Sequence, residues 1–250
     1  MPKKWVRDAL YGHTKSVKIR RSCVTVTYQK DNEPIYHVDF AIYANNNDDG
    51  NMYIAKGKEF SDDSNKFWEL SDPLGLIEKI DNKFTEAEDR YQFKRIIRYM
   101  KKWKMHNSNF SGNGVPTGIA LTVLAYDYFA VSKEYDFYKS KYTYNDFEAL
   151  RSLVLAIKNS FKLQYSSELE TFYHSIVANL PVDPENNLFE KMTENQLETL
   201  YQEIVSMLAK LDAVATKTKK SDACEILVEI FGKDFPVTVD KSMVGTSESA

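Results

Sequence analysis

Apolar residues alternate with polar ones at the front of the chain and recur every three to four residues behind it. Residues 17–19 alternate and 23–28 are rich in β-branched side chains, which predicts two strands. Lys30-Asp-Asn-Glu-Pro34 reads as a turn and 35–44 as the returning strand. In that strand Tyr36, Val38, Phe40 and Ile42 share one face, while His37, Asp39, Ala41 and Tyr43 share the other. The run 45–50 is a loop, 51–58 another short strand and 60–66 a polar connector. The first sixty residues thus read as strands.

From Ser71 onward the period becomes helical. Asp72-Pro73 supplies a capping residue followed by proline at the first helical position. The spacing predicts a helix over 87–104, where Phe93, Ile96, Ile97, Met100 and Trp103 fall within an arc of roughly 120°. A polar loop over 105–114 leads to a nearly all-apolar helix over 116–129, which should be buried. Residues 146–164 repeat apolar side chains at Phe147, Leu150, Val154, Ile157 and Phe161. Thr193-Glu-Asn-Gln196 is a capping box opening a helix over 194–214. A last helix over 221–231 stops at Gly232, and the final ten residues read as a frayed tail. The layout is α+β: a sheet fragment leads and a helical bundle follows.

Composition changes this picture little. A chain of 250 residues with 43% hydrophobic content can fill one large or two small cores. No apolar run approaches the roughly 20 residues a membrane helix needs, and the start, Met-Pro-Lys-Lys-Trp, lacks the apolar core of a signal peptide. Cys23 and Cys224 lie far apart and read as reduced core thiols of a cytoplasmic protein. A net charge of −3 argues against a protein that grips extended nucleic acid, while leaving triphosphates open as ligands.

Three features carry candidate chemistry. Asp39 interrupts an apolar strand; if the Val38/Phe40/Ile42 face meets a core, Asp39 points into the opposite side, a cleft. The local pattern is equally compatible with a half-solvated sheet face on which Asp39 is merely exposed. On the helix over 87–104, Lys94, Arg95, Arg98, Lys101 and Lys102 form one basic sector opposite the apolar stripe. Such a sector attracts phosphates, although charged helix faces are more often simply solvated. Gly112-Asn-Gly-Val-Pro-Thr117 leads into the buried helix, where Thr117 can cap and free N–H groups can receive an anion.

Taken in order, the hairpin with His37-Val-Asp39, then Trp68-Glu-Leu-Ser-Asp-Pro73, Arg95-Ile-Ile-Arg-Tyr-Met-Lys-Lys-Trp103 and Pro116-Thr-Gly-Ile-Ala-Leu121 resembles the CD-NTase family. Cyclic GMP–AMP synthase and oligoadenylate synthetase are similar relatives. The ending Ile226-Leu-Val-Glu-Ile-Phe-Gly-Lys-Asp-Phe-Pro236 also resembles the family's closing helix, so the likeness runs from about Val17 to Pro236. It implies a partial polymerase-β-like nucleotidyltransferase sheet over 1–70, a helical domain contributing to the nucleotide cleft over 71–236, and a flexible tail over 237–250. It also implies roles. Asp39 matches the third metal-binding carboxylate and Lys101 the lysine that steadies a nucleoside triphosphate. Thr117 falls near the same phosphates, with Arg98 on the same basic face, and Ser71 and Asp72 lie near the acceptor side. In the family, two Mg²⁺ ions held by three carboxylates activate a ribose hydroxyl and stabilise the pyrophosphate leaving group. Repetition in one site yields a cyclic oligonucleotide, a signal in bacterial anti-phage defence.

One part of the family pattern is absent. The first two carboxylates come as Asp-x-Asp after Gly-Ser, and this sequence contains neither pattern. Glu86-Ala-Glu88 and Glu168-Leu-Glu170 have similar spacing but are expected in downstream helices. The chain is therefore expected to be inactive alone, as a truncated fragment or as half of a split enzyme whose missing strands a separate chain supplies. The alternative is a non-catalytic nucleotide-binding or regulatory homologue.

Overall fold

The computed structural model describes residues 2–12, 14, 16–45 and 47–238. The expected tail lies, from residue 239 on, outside the described residues. Two compact units emerge: Met1–Glu78 with Pro181–Glu185, and Lys79–Leu180 with Asn186–Ala250.

In the first unit a helix α1 (Pro2–Leu10) precedes an antiparallel sheet of order β1 (Ser16–Ile19), β2 (Val24–Lys30), β3 (Glu33–Phe40). Ile19 pairs with Val24 and Val17 with Val26, and these four form a core closed by Val6 and Leu10 of α1. Asp31 and Asn32 adopt φ of 53° and 68°, the left-handed pair that a two-residue hairpin turn requires. The helix α1 departs from the reading of the first sixty residues as strands. Its anchor is Lys3, a fully buried lysine whose ammonium donates to the carbonyls of Arg20 (3.2 Å), Arg21 (2.6 Å) and Gly57 (3.0 Å). Burial lowers its pKa.

The strand expected over 35–44 is broken after Phe40. Its register explains why: Phe40 pairs with Val24, the first residue of β2, so nothing remains to pair beyond it. The Ile42 carbonyl instead accepts from the Ala55 N–H at 2.9 Å. Tyr43–Ala44 (β4) then joins a second sheet with β5 (Tyr53–Ala55) and β6 (Trp68–Leu70). A second correction concerns burial. All eight residues of β3 are exposed, Val38 and Phe40 included, so the face expected to meet a core is uncovered. Within this sheet β2, paired on both sides, sits deepest, and Val17 and Ile19 of β1 are buried beside it. The helix α2 (Pro73–Asp81) opens as expected, with Asp72 Oδ1 accepting the Gly75 N–H at 2.8 Å.

The second unit is built on α3 (Ala87–His106), α4 (Gly118–Tyr128), α5 (Asp146–Ser160), α6 (Glu194–Ala215) and α7 (Lys220–Phe231). All five stripe residues of α3 are buried, as is the middle of α4, and one continuous apolar core joins them to α5, α6 and α7. Thr193 and Gln196 complete the capping box of α6, and Gly232 ends α7 with φ of 93°. Two hairpins were not anticipated: β7 (Lys133–Asp136) with β8 (Lys141–Tyr144), and β9 (Lys162–Ser166) with β10 (Thr171–Ser175). The second one shortens α5, expected to reach 164. After Ser160 the backbone finds its partners downstream, Ser166 opposite Thr171, and Glu168 and Glu170 lie in the connecting turn rather than in a helix. The cysteines, expected as core thiols, are free and only half-buried.

A polar network ties α3 to the start of α5. Asp146 accepts from Arg95 Nε (2.6 Å) and Nη2 (2.9 Å) and from Gln92 Nε2 (3.2 Å). Gln92, fully buried, also exchanges two hydrogen bonds of 3.0 Å with the Ser132 backbone. The Arg95 hydrogen bonds hold the Asp146 carboxyl below its ordinary range. A depressed folded pKa contributes stability that is present at neutral pH and lost as pH falls through that value. Asp146→Asn is expected to cost about 1–3 kcal/mol at neutral pH, with the difference from wild type shrinking in acid, measured by urea unfolding at both pH values. A difference that stays constant would exclude the charge as its source.

Candidate functional site

Of the five cations predicted to line one face of α3, three are neutralised. Lys94 meets Asp81 at 2.7 Å, Arg95 is bound to Asp146, and Lys102 meets Asp234 at 3.1 Å. Periodicity placed these cations correctly but could not show acids 13 to 132 residues away in sequence. Arg98 and Lys101 are left without a salt bridge among the described residues. Arg98 is exposed, and Lys101 is half-buried.

Lys101 packs against the start of α4. A Cβ built on Gly118 would lie 3.5 Å from Lys101 Cε, an ordinary contact, so the lysine stem runs alongside the helix's first residue. Thr117 caps that helix, its Oγ1 accepting from the Ala120 N–H at 3.2 Å. The cap leaves the N–H groups of Gly118 and Ile119 open, as the first turn of any helix does. An ammonium and the positive end of a helix dipole thus sit together. Burial, with a smaller contribution from Lys104, lowers the Lys101 pKa. Both Lys101 and Thr117, singled out separately in the sequence, converge on this spot.

Asp39 lies in the first unit, on β3. Its Oδ1 accepts from Thr25 Oγ1 at 2.6 Å, and the register places Lys18, Thr25 and Asp39 in one row across the sheet. The expected parity, Asp39 opposite Val38 and Phe40, holds. Its neighbour on the paired side is a hydroxyl, and the other edge of β3 is unpaired among the described residues. This donor set does not fit a divalent cation, and among the described residues no group of three His, Cys, Asp or Glu side chains could hold one. Ser71 donates its backbone N–H to the Met52 carbonyl at 2.9 Å, and Asp72 is committed to capping α2. Gly75 is required there: a Cβ would come within 2.0 Å of Asp72 Oδ2.

Two stability measurements separate these roles. Thr117→Ala removes a cap and is expected to cost about 1 kcal/mol. Lys101→Met removes an unpaired, partly desolvated charge and is expected to be neutral or stabilising by up to about 1 kcal/mol. A clear loss of stability in Lys101→Met would make the lysine a structural residue.

No family model and no curated protein matches the chain. Solved structures do. The Vibrio cholerae DncV cyclic AMP-GMP synthase, described as a prokaryotic cGAS homologue, superposes with a TM-score of 0.62 at 16% identity, covering 92% of this chain and 56% of its own. Escherichia coli DncV in a 3'-deoxy GTP bound form gives 0.60 at 14%, covering 91% of this chain and 54% of its own. The Bradyrhizobium diazoefficiens CD-NTase CdnG, in complex with GTP, gives 0.59 at 12%, covering 93% and 72%. The chain spans about half the length of the DncV structures it matches. No helix among the described residues is long and apolar enough to cross a membrane. Over 91 to 93% of its length, this chain has the fold of the CD-NTases.

Proposed function

We propose that the chain is the rear portion of a cytoplasmic nucleotidyltransferase that makes cyclic oligonucleotide second messengers from nucleoside triphosphates in bacterial anti-phage signalling. In this reading the first unit is the rear part of a polymerase-β-like sheet, and the second contributes helices to the nucleotide site. The observation that carries it is the half-buried Lys101 ammonium, unpaired among the described residues, beside the open first turn of α4. A polyphosphate supplies the charge that this arrangement lacks, and the backbone N–H groups of Gly118 and Ile119 orient its oxygens. Arg98, one helical turn before Lys101, extends the positive field. The GTP-bound neighbours support a nucleotide as ligand.

Catalysis is a separate matter. Asp39 is a carboxylate on an open sheet edge, with the Thr25 hydroxyl beside it. That set does not hold the two Mg²⁺ ions the family uses. The reading therefore requires the Gly-Ser and Asp-x-Asp elements that this sequence lacks, supplied by a segment joined ahead of it or by a separate partner chain. The unpaired edge of β3 suits strand addition by such a partner.

The test is direct. Incubated with labelled ATP and GTP and Mg²⁺, the chain alone is expected to give no cyclic or linear product, while still binding triphosphate. Lys101→Ala is expected to weaken that binding roughly tenfold, the scale of one charged hydrogen bond. Product from the chain alone that disappears in Asp39→Ala would overturn the need for a partner. Unchanged triphosphate affinity in Lys101→Ala would overturn the phosphate role.

A further inference from the structure

A second concentration of positive charge lies in the first unit, on residues that the nucleotide reading does not use. Lys3 gathers the carbonyls of Arg20, Arg21 and Gly57 around its ammonium, and the Gly57 N–H returns to the Arg21 carbonyl at 2.8 Å. This joins α1, the end of β1 and the segment after β5 into one surface. Lys4, Lys18, Arg20, Arg21 and Lys58 are exposed there, and none forms a salt bridge among the described residues. The neighbouring Arg7 and Lys56 are paired, to Asp8 and Glu59 and to Glu69 respectively. Lys18, Arg20, Lys58 and Phe60 line a cavity of about 400 Å³ together with Val17, Ile19, Ser61 and Glu59, whose carboxylate is taken up by Arg7. Phe60 is 93% exposed, and Trp5 of α1 is 73% exposed.

Five unbalanced cations in a protein of net charge −3 call for a polyanion. The aromatic rings narrow the choice. An acidic peptide offers nothing to stack on Phe60, whereas a nucleobase has a π-face that an exposed ring accepts whatever its identity. Bases in a duplex are already stacked and cannot reach it; those of a single strand can. We propose that this surface binds single-stranded nucleic acid, with backbone phosphates on Lys18, Arg20 and Lys58 and one base on Phe60. Net charge, which argued against such a ligand, concealed the patch because acidic residues elsewhere cancel it. The inference does not rest on the nucleotidyltransferase reading.

The experiment is fluorescence anisotropy of a short labelled oligouridylate with the full chain over a range of salt. Wild type is expected to bind with a log–log salt slope near −2, from about 0.7 per phosphate contact over roughly three contacts. The combined variant Lys18→Ala, Arg20→Ala, Lys58→Ala is expected to lose at least tenfold in affinity and most of the slope. Phe60→Ala, which touches no core, is expected to lose roughly tenfold with the slope unchanged. Thermal unfolding of each variant checks that it folds. The proposal falls if wild type shows no salt-dependent binding, or if the triple variant or Phe60→Ala binds as tightly as wild type. It falls equally if duplex RNA binds as well as the single strand, or if ATP or polyglutamate competes as effectively per charge.

Discussion

The helix α3 must bury one face, and most of what matters in the second unit follows from that. Phe93, Ile96, Ile97, Met100 and Trp103 together remove about 7–15 kcal/mol of apolar side chain from water. With that face fixed, the rotation of the helix is fixed too, and its cations have no choice of direction. Where a neighbouring element offers a carboxylate, as Asp81, Asp146 and Asp234 do, the charge is absorbed into the fold. Where the neighbour is instead the first turn of α4, the charge of Lys101 is left standing. An apolar stripe thus decides which lysine remains available to a ligand.

Apart from α1, the helices of this chain were legible because their signals are local. A proline after Asp72, the box of Thr193 and Gln196, and the glycine after Phe231 act within one turn, and each is seen in place. The strands were legible only where alternation is uninterrupted. Residues 35–44 alternate throughout, yet the strand ends at Phe40 because β2 offers no residue beyond Val24. Strand length is a property of the pair. The hairpin after α5 was missed for a related reason: Phe161 continues the apolar spacing of α5, and only pairing with 171–175 turns the residues after it into a strand.

The candidate sites divide along the same line. Lys101 and Thr117 were each visible as residue types in a suitable context, and the structure brings them to one helix end. The neutralisation of Lys94, Arg95 and Lys102 was invisible, since their partners are remote in sequence. The basic surface around Lys3 was hidden twice over, by the acidic net charge and by the expectation that a lysine is exposed. Burying that one ammonium under three carbonyls draws three separate segments together and turns their own cations outward.

The central claim is that Lys101 is a charge kept unpaired for a phosphate. Its most direct test is an NMR titration of the lysine side chains, with and without a nucleoside triphosphate. Lys101 is expected to lose its proton below the range of the exposed lysines in the free chain, and to move upward when the triphosphate is bound. A Lys101 signal that titrates with the others and ignores the ligand would contradict the claim.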